Sequence, residues 1–245
     1  MGLVRQFPIS LLMPVIYCIT NEVSANFVAN ALLAIGASPL MSSAIEEVED
    51  LCQIADALVL NIGTPSKELF ATMLTAGQRM HELGKPVVLD PVGANTTHFR
   101  LQIAKELIAQ AHPTVIRGNA SEIMALATNQ VLGTGLDTPL PPYSSTPLPP
   151  YSQADDLAKS VGSVVVVSGP EDYITDGTHT ASVNLGSPEM ALTTGTGCVA
   201  TAIIAALLTN LQSSIFNNTI KAMTLVGQAG MDMPHFLERL CASAL

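Results

Sequence analysis

Ala57-Leu58-Val59-Leu60-Asn61-Ile62 runs almost wholly apolar and stops at Gly63-Thr64-Pro65. A short continuous apolar run closed by turn residues is the pattern of a strand buried on both faces, as in a parallel sheet. Outward from it the pattern recurs. Val15 to Thr20 precedes it and ends at Asn21. Pro86-Val87-Val88-Leu89-Asp90-Pro91-Val92-Gly93, then Thr114-Val115-Ile116-Arg117-Gly118, then Ser163-Val164-Val165-Val166-Val167-Ser168-Gly169 follow it. The last is the most hydrophobic and is expected at the sheet centre.

Helical stretches alternate with these runs. Val23 to Ile35 ends at Gly36, a C-cap residue. Glu46 to Ile54 opens with acidic residues, which suit the positive helix end. Ser66 to Leu83 has Ser66 as N-cap and Gly84 as stop. Leu101 to Ala111, Asn119 to Ala127 (Asn119 as N-cap) and Gln153 to Val161 continue the series. Tyr173 to Thr178 and Thr180 to Leu185 read as an antiparallel hairpin turning at Asp176-Gly177. Ser214 to Met231 and His235 to Ala244 are closing helices. Strand and helix in alternation predict a three-layer, doubly wound α/β fold with a mainly parallel sheet, residues 1–245 forming a single domain. Ligands of such sheets bind beyond the C-terminal strand ends. Asn21, Met41 (after the short extended Ser38-Pro39-Leu40), Gly63, Asp90 and Arg117 all fall there.

Thr193-Thr194-Gly195-Thr196-Gly197-Cys198 is a Gly-rich turn ahead of the apolar run Val199 to Leu208. The first turn of that helix presents unpaired N–H groups at its positive end, an anion site that glycine lets a ligand approach closely. Cys198 lies in the same turn, where a thiolate is favoured. An anion hole beside a titratable side chain is what phosphoryl transfer to an alcohol needs. A buried helix behind a Gly-rich loop is the plainer reading of the same residues.

Composition narrows the classes. Of 245 residues, 12% are charged and 48% apolar, which favours a compact enzyme or an oligomer over a solvated binding module. The net charge of -10 argues against a general nucleic-acid or anionic-membrane binder. An acidic protein that handles phosphates must place its few cations locally or borrow a metal ion. Cys18, Cys52, Cys198 and Cys241 show neither a CxxC pair nor metal-ligand spacing, so reduced thiols in the cytoplasm are expected. The N-terminus faintly resembles a signal peptide from Arg5 to Ile19, but Pro8 and Pro14 interrupt it, and an ordered first strand is expected instead. Val199 to Leu208 is too short to span a bilayer. Thr138-Pro-Leu-Pro-Pro-Tyr-Ser144 recurs word for word as Thr146-Pro-Leu-Pro-Pro-Tyr-Ser152. This polyproline-like stretch is expected to be an expanded surface loop, 138–152.

The ordered set of motifs resembles the hydroxyethylthiazole kinase family of the ribokinase-like superfamily, along nearly the whole chain. Its carriers are Ile19-Thr20-Asn21, Ala29 to Pro39 with Met41, Ala57 to Thr64, Leu89-Asp90-Pro91-Val92-Gly93-Ala94, Ile116 to Ile123, Asp172 to Gly177, and Thr194-Gly195-Thr196-Gly197-Cys198. The resemblance implies a cytoplasmic, magnesium-dependent transferase of thiamine salvage. It would phosphorylate the primary hydroxyl of 4-methyl-5-(2-hydroxyethyl)thiazole with ATP, as a homotrimer with sites at subunit interfaces. Position by position it implies that Arg117 and Ser168 hold ATP, and that Met41 and Gly195 contact the thiazole, with Asn21 nearby. It implies that Asp90 and Glu122 flank Mg2+, and that Cys198, with Gly195, Thr196 and Gly197, lies at the reacting hydroxyl.

Each residue has a structural reading beside the functional one. Asp90 ends a strand, Glu122 suits a helix dipole, Arg117 could form a surface salt bridge, Ser168 could cap a turn, and Met41 could be core. Cys198 reads as a modest base, a positioning group, or a small buried hydrophobe. Departures from the family pattern are Asn95-Thr96-Thr97, Thr134 before Gly135-Leu136-Asp137, Ala191 and Leu192 in place of Thr and a basic residue, and a missing late Gly-Pro-Gly-Ser-Phe segment. They leave open a weakened thiazole-binding paralogue, another small-alcohol kinase of the superfamily, and an ATP-binding scaffold reached through the Pro-rich loop.

Overall fold

The computed structural model describes residues 13–132 and 151–244. The expected Pro-rich loop lies outside them except for Tyr151 and Ser152. Those two open a helix instead of closing a loop.

Among the described residues, eight strands form one sheet in the order β2-β1-β3-β4-β5-β6-β7-β8. The strands are β1 (Val15–Ile19), β2 (Ser38–Met41), β3 (Ala57–Asn61), β4 (Val87–Asp90), β5 (Val115–Asn119), β6 (Val164–Ser168), β7 (Asp172–Thr175) and β8 (Thr180–Val183). The first six in that order pair in parallel, and β7 and β8 add an antiparallel hairpin at one edge. The helices are α1 (Ala25–Ala34), α2 (Val48–Ile54), α3 (Lys67–Glu82), α4 (His98–Ala111), α5 (Ala120–Thr128), α6 (Tyr151–Val161), α7 (Thr196–Leu208), α8 (Ile215–Gly230) and α9 (Phe236–Ala244).

Successive side chains of a strand point to opposite faces, and the two cores follow that period. Ile16, Cys18, Val59, Val88, Val115 and Val166 face one core with α1, α7, α8 and α9. Tyr17, Ile19, Leu58, Leu60, Leu89 and Ile116 face the other with α2 to α6. The strands had to be apolar throughout because both faces are covered. β6 is buried on both faces as its sequence requires, yet it is sixth of eight and not central. Its composition reflects two covered faces, which every interior strand has, and so cannot rank positions within the sheet.

α7 is apolar around its whole circumference, and nine of its residues are buried. It packs on β1, β3 and β4 and is flanked by α1 and α8, so no face meets water. This burial aims its N-terminus at the ends of β3 and β4. The helix expected at Glu46 to Ile54 begins as a 3-10 turn, Ile45–Glu47, before α2. The expected N-caps Ser66 and Asn119 accept from the backbone N–H of Leu69 and Glu122.

Lys85 joins α2 to the strand layer. Its Nζ donates to the carbonyls of Cys52, Gln53 and Ala55 at 2.9, 2.8 and 2.7 Å. A cation at a helix C-terminus satisfies carbonyls that the helix cannot pair and suits its negative end. Lys85→Met keeps the stem and removes the charge. Urea unfolding should show a stability loss of about 1–2 kcal/mol; no loss would mean that water replaces the ammonium.

Candidate active site

The loops after β1, β3 and β4, the junction of β5 with α5, and the N-terminus of α7 meet at one end of the sheet. Gly195 sits at φ +98°, a left-handed conformation that side chains resist, and it turns the chain into the helix. The first intrahelical bond runs from the Val199 N–H to the Gly195 carbonyl at 2.9 Å. The amides of Thr196, Gly197 and Cys198 precede it and have no helical partner. Gly197 is small for a reason of space, because a Cβ there would collide with the Arg117 guanidinium. Phosphate oxygens brought to this turn would therefore meet backbone amides and a guanidinium together.

Asp90 closes β4 and is 1% exposed. Its Oδ2 accepts from Asn61 Nδ2 at 2.7 Å and from Thr201 Oγ1 at 3.0 Å. Its Oδ1 has no hydrogen bond among the described residues and lies 4.0 Å from Arg117 Nη1. Glu122 is also buried. Its Oε1 accepts from the Gly93 N–H and its Oε2 from the Asn119 N–H, each at 2.8 Å. The Asn119 bond completes a capping box on α5, so the structural reading of Glu122 holds alongside any other.

Burial raises the pKa of Asp90 against the pull of Arg117. Burial and the nearby Asp90 push Glu122 up to about 7. Asp172, at the start of β7, is pushed up to about 6 by burial, with Gly169 and Arg117 acting the other way. Burial disfavours the charged forms of Asp90 and Glu122, which also repel each other, and a cation beside them would relieve both effects. Asp90 Oδ1 is the oxygen best placed for it. No group of three or more His, Cys, Asp or Glu among the described residues is arranged to hold a metal. A cation here would lean on phosphate oxygens and water as well, the habit of magnesium.

Cys198 corrects an expectation. A first helical turn favours a thiolate, but burial and the Asp90 charge raise this thiol instead, outweighing the stabilising Ser24, Asn21 and Arg117. The helix end is a partial charge, whereas Asp90 is a full one in a dry place. Its sulfur accepts from Asn21 Nδ2 at 3.3 Å and from Asn61 Nδ2 at 3.2 Å.

Asp90, Arg117, Glu122, Asn21, Gly195, Gly197 and Cys198 thus gather as the sequence predicts. Thr196 lies in the same turn, but its hydroxyl reaches back to the Met190 and Thr193 carbonyls at 3.2 and 3.4 Å. Ser168 ends β6 next to β5, and its hydroxyl donates to the Gly118 carbonyl at 3.2 Å. It caps no turn; Asp172 does, accepting from the Gly169 N–H at 3.1 Å. Met41 ends β2 and is 37% exposed, so it is not core. Arg117 is mostly covered and forms no surface salt bridge.

Asn61, Thr201 and Arg100 join the cluster without being candidates from the sequence. Arg100 donates to the carbonyls of Ile62, Val92 and Gly63 at 2.9, 2.8 and 3.0 Å, tying together the loops after β3 and β4. Asn61 carried one signal: a polar residue ending an otherwise apolar strand. A groove between α4, α5 and α6, lined by Lys105, Ile108, His112, Leu126, Asp156 and Ser160 among others, shares no residue with this cluster.

The sequence profile of the hydroxyethylthiazole kinase family matches residues 8–240. A hydroxyethylthiazole kinase of Desulfotalea psychrophila is 45% identical over 193 residues, 79% of this chain and 69% of its own length. One of Tolumonas auensis is 38% identical over 239 residues, 93% of this chain and 87% of its own. The solved hydroxyethylthiazole kinase protein of Pyrococcus horikoshii superposes with a TM-score of 0.81 at 33% identity, covering 94% of this chain and 87% of that one. A ribokinase-like superfamily protein of Enterococcus faecalis, at 14% identity and a TM-score of 0.70, shares the fold. Family profile, relatives and fold agree, and the chain belongs to the hydroxyethylthiazole kinase family.

Proposed function

We propose that the chain moves the terminal phosphoryl group of ATP to the hydroxyl of 4-methyl-5-(2-hydroxyethyl)thiazole at the N-terminus of α7. The reading rests on one observation above the others. The first turn of α7, whose Thr196, Gly197 and Cys198 amides lack helical partners, lies against the Arg117 guanidinium, which in turn lies 4.0 Å from the unbonded Oδ1 of Asp90. Charge spreads over the transferred group as it moves, and oriented amides and a guanidinium stabilise that charge at no cost of rearrangement.

Arg117, from β5, and Ser168, from the end of β6, hold ATP, the guanidinium by its phosphate oxygens. Asp90, with its Oδ1 unbonded, would hold Mg2+, and Glu122, whose oxygens already accept from backbone amides, would act through water. Magnesium when bound would neutralise phosphate charge and orient the terminal group. Asn21, Met41 and Gly195 receive the thiazole. Cys198 lies beside the reacting hydroxyl as a thiol. A raised pKa leaves little thiolate near neutral pH to act as a base, and a loose transition state asks little of one.

The chain is one kinase domain with an insert that starts at 138 and gives way to α6 at Tyr151, and the match over 8–240 supports the single domain. It works as a homotrimer whose neighbouring subunit closes the thiazole end. Val23, Met41 and Ile45, apolar and exposed just after β1, at the end of β2 and just after it, are the side chains such a neighbour would cover. Four free cysteines support a cytoplasmic place. No helix among the described residues is long and apolar enough to cross a membrane.

Purified protein should release ADP only when ATP, magnesium and the thiazole alcohol are all present. Asp90→Ala should cut that rate at least about a hundredfold while the thiazole alcohol still raises the melting temperature. Thermal protection without turnover in the unaltered protein would mark a binder instead of a kinase. The difference in thiolate absorbance between the unaltered protein and Cys198→Ala should appear only above the ordinary thiol range, about 8.5. A difference already developed near neutral pH would restore the thiolate base.

A further inference from the structure

We propose that Asn61 is a positioning residue for this reaction, selecting which oxygen of Asp90 meets the cation and fixing the Cys198 sulfur beside it. The proposal rests on the kinase reading of the site. Asn61 ends β3, directly opposite Asp90 in the register of β4, and is fully buried. The four residues before it in β3 are apolar and equally enclosed. A buried amide at such a place costs free energy unless it is fully paired, and nothing in the sheet requires one.

All four of its hydrogen-bonding capacities are used. Oδ1 accepts from Asn21 Nδ2 at 2.8 Å and from the Gly63 N–H at 3.0 Å. Nδ2 donates to Asp90 Oδ2 at 2.7 Å and to Cys198 Sγ at 3.2 Å. The backbone sets the direction of the amide. The Gly63 N–H can only donate, so it must meet Oδ1, which turns Nδ2 toward Asp90 and Cys198. Asn21 is held in the same way. Its Oδ1 accepts from the Ser24 N–H at 3.0 Å, which sends its Nδ2 to Asn61 and to the same sulfur.

Two consequences follow for Asp90 and Cys198. Asp90 Oδ2 is filled by Asn61 and Thr201, so Oδ1 alone is left for a cation. One amide also spans the carboxylate of the phosphate side and the thiol of the alcohol side, so their separation is set by a rigid planar group. Asn61 itself is sealed from any ligand and acts through these two residues.

Asn61→Leu keeps most of the shape and removes the amide. Asn61→Ser is smaller and admits water, and serves if the first variant does not fold. Each is compared with the unaltered protein in kcat, in KM for the thiazole alcohol, in melting temperature, and in Mn2+ binding with ADP by electron paramagnetic resonance. In a folded variant, kcat and Mn2+ affinity should each fall roughly 10–100-fold, with KM for the thiazole alcohol within about threefold. A variant that loses only melting temperature, with kcat and Mn2+ affinity unchanged, overturns the proposal and leaves Asn61 a structural residue. A fall in kcat with unchanged Mn2+ binding overturns the path through Asp90. If the unaltered protein does not turn over, the kinase reading fails by itself, and the Mn2+ comparison still decides the role of Asn61.

Discussion

Asp90 is a carboxylate at the end of a strand whose other residues are Val87, Val88 and Leu89, and it is almost wholly removed from water. A charge so placed is costly unless partners meet it. Asn61 comes to it from β3, Thr201 from α7 and Arg117 from β5. The doubly wound sheet puts those three elements around one strand end. Their convergence leaves one carboxylate oxygen unpaired and one guanidinium alongside, a combination suited to a cation that carries phosphates.

α7 depends on the same arrangement. Its apolar circumference sinks it between the sheet and its neighbours, and Thr201 anchors it to Asp90 one turn beyond Cys198. The N-terminal amides are therefore held at a fixed distance from the carboxylate. Gly195 permits the turn and Gly197 clears room for Arg117. Burial that stabilises the helix is also what keeps Cys198 a thiol, because a dry site near a carboxylate disfavours a second negative charge.

Much of this is legible from residue order. Apolar runs closed by turn residues mark the interior strands, and caps such as Ser66 and Asn119 mark helix starts within a residue or two. The strand-end rule gathers Asn21 and Asp90 before any coordinates are known, whereas Arg117, expected beyond its strand, reaches the same place from inside β5, two residues before its end. Other features depend on three-dimensional neighbours. The rank of β6 in the sheet is set by pairing, which its valines do not encode. The thiol state of Cys198 depends on Asp90, which is distant in sequence. Asn61 and Arg100 act through carbonyls and side chains far along the chain, and local pattern shows only a polar residue at a strand end and a charged residue in a helix. The departures at Ala191 and Leu192 fall in a 3-10 turn, Pro188–Leu192, and Leu192 is 85% exposed. Thr134 lies outside the described residues.

The most direct test of the account is a crystal structure with ADP, aluminium fluoride, magnesium and the thiazole alcohol, which mimics the group in flight. The account predicts fluoride atoms within about 3 Å of the Thr196 to Cys198 amides, with the metal on the Asp90 Oδ1 side. A transferring group seated away from the N-terminus of α7, or a metal bound without Asp90, would contradict it.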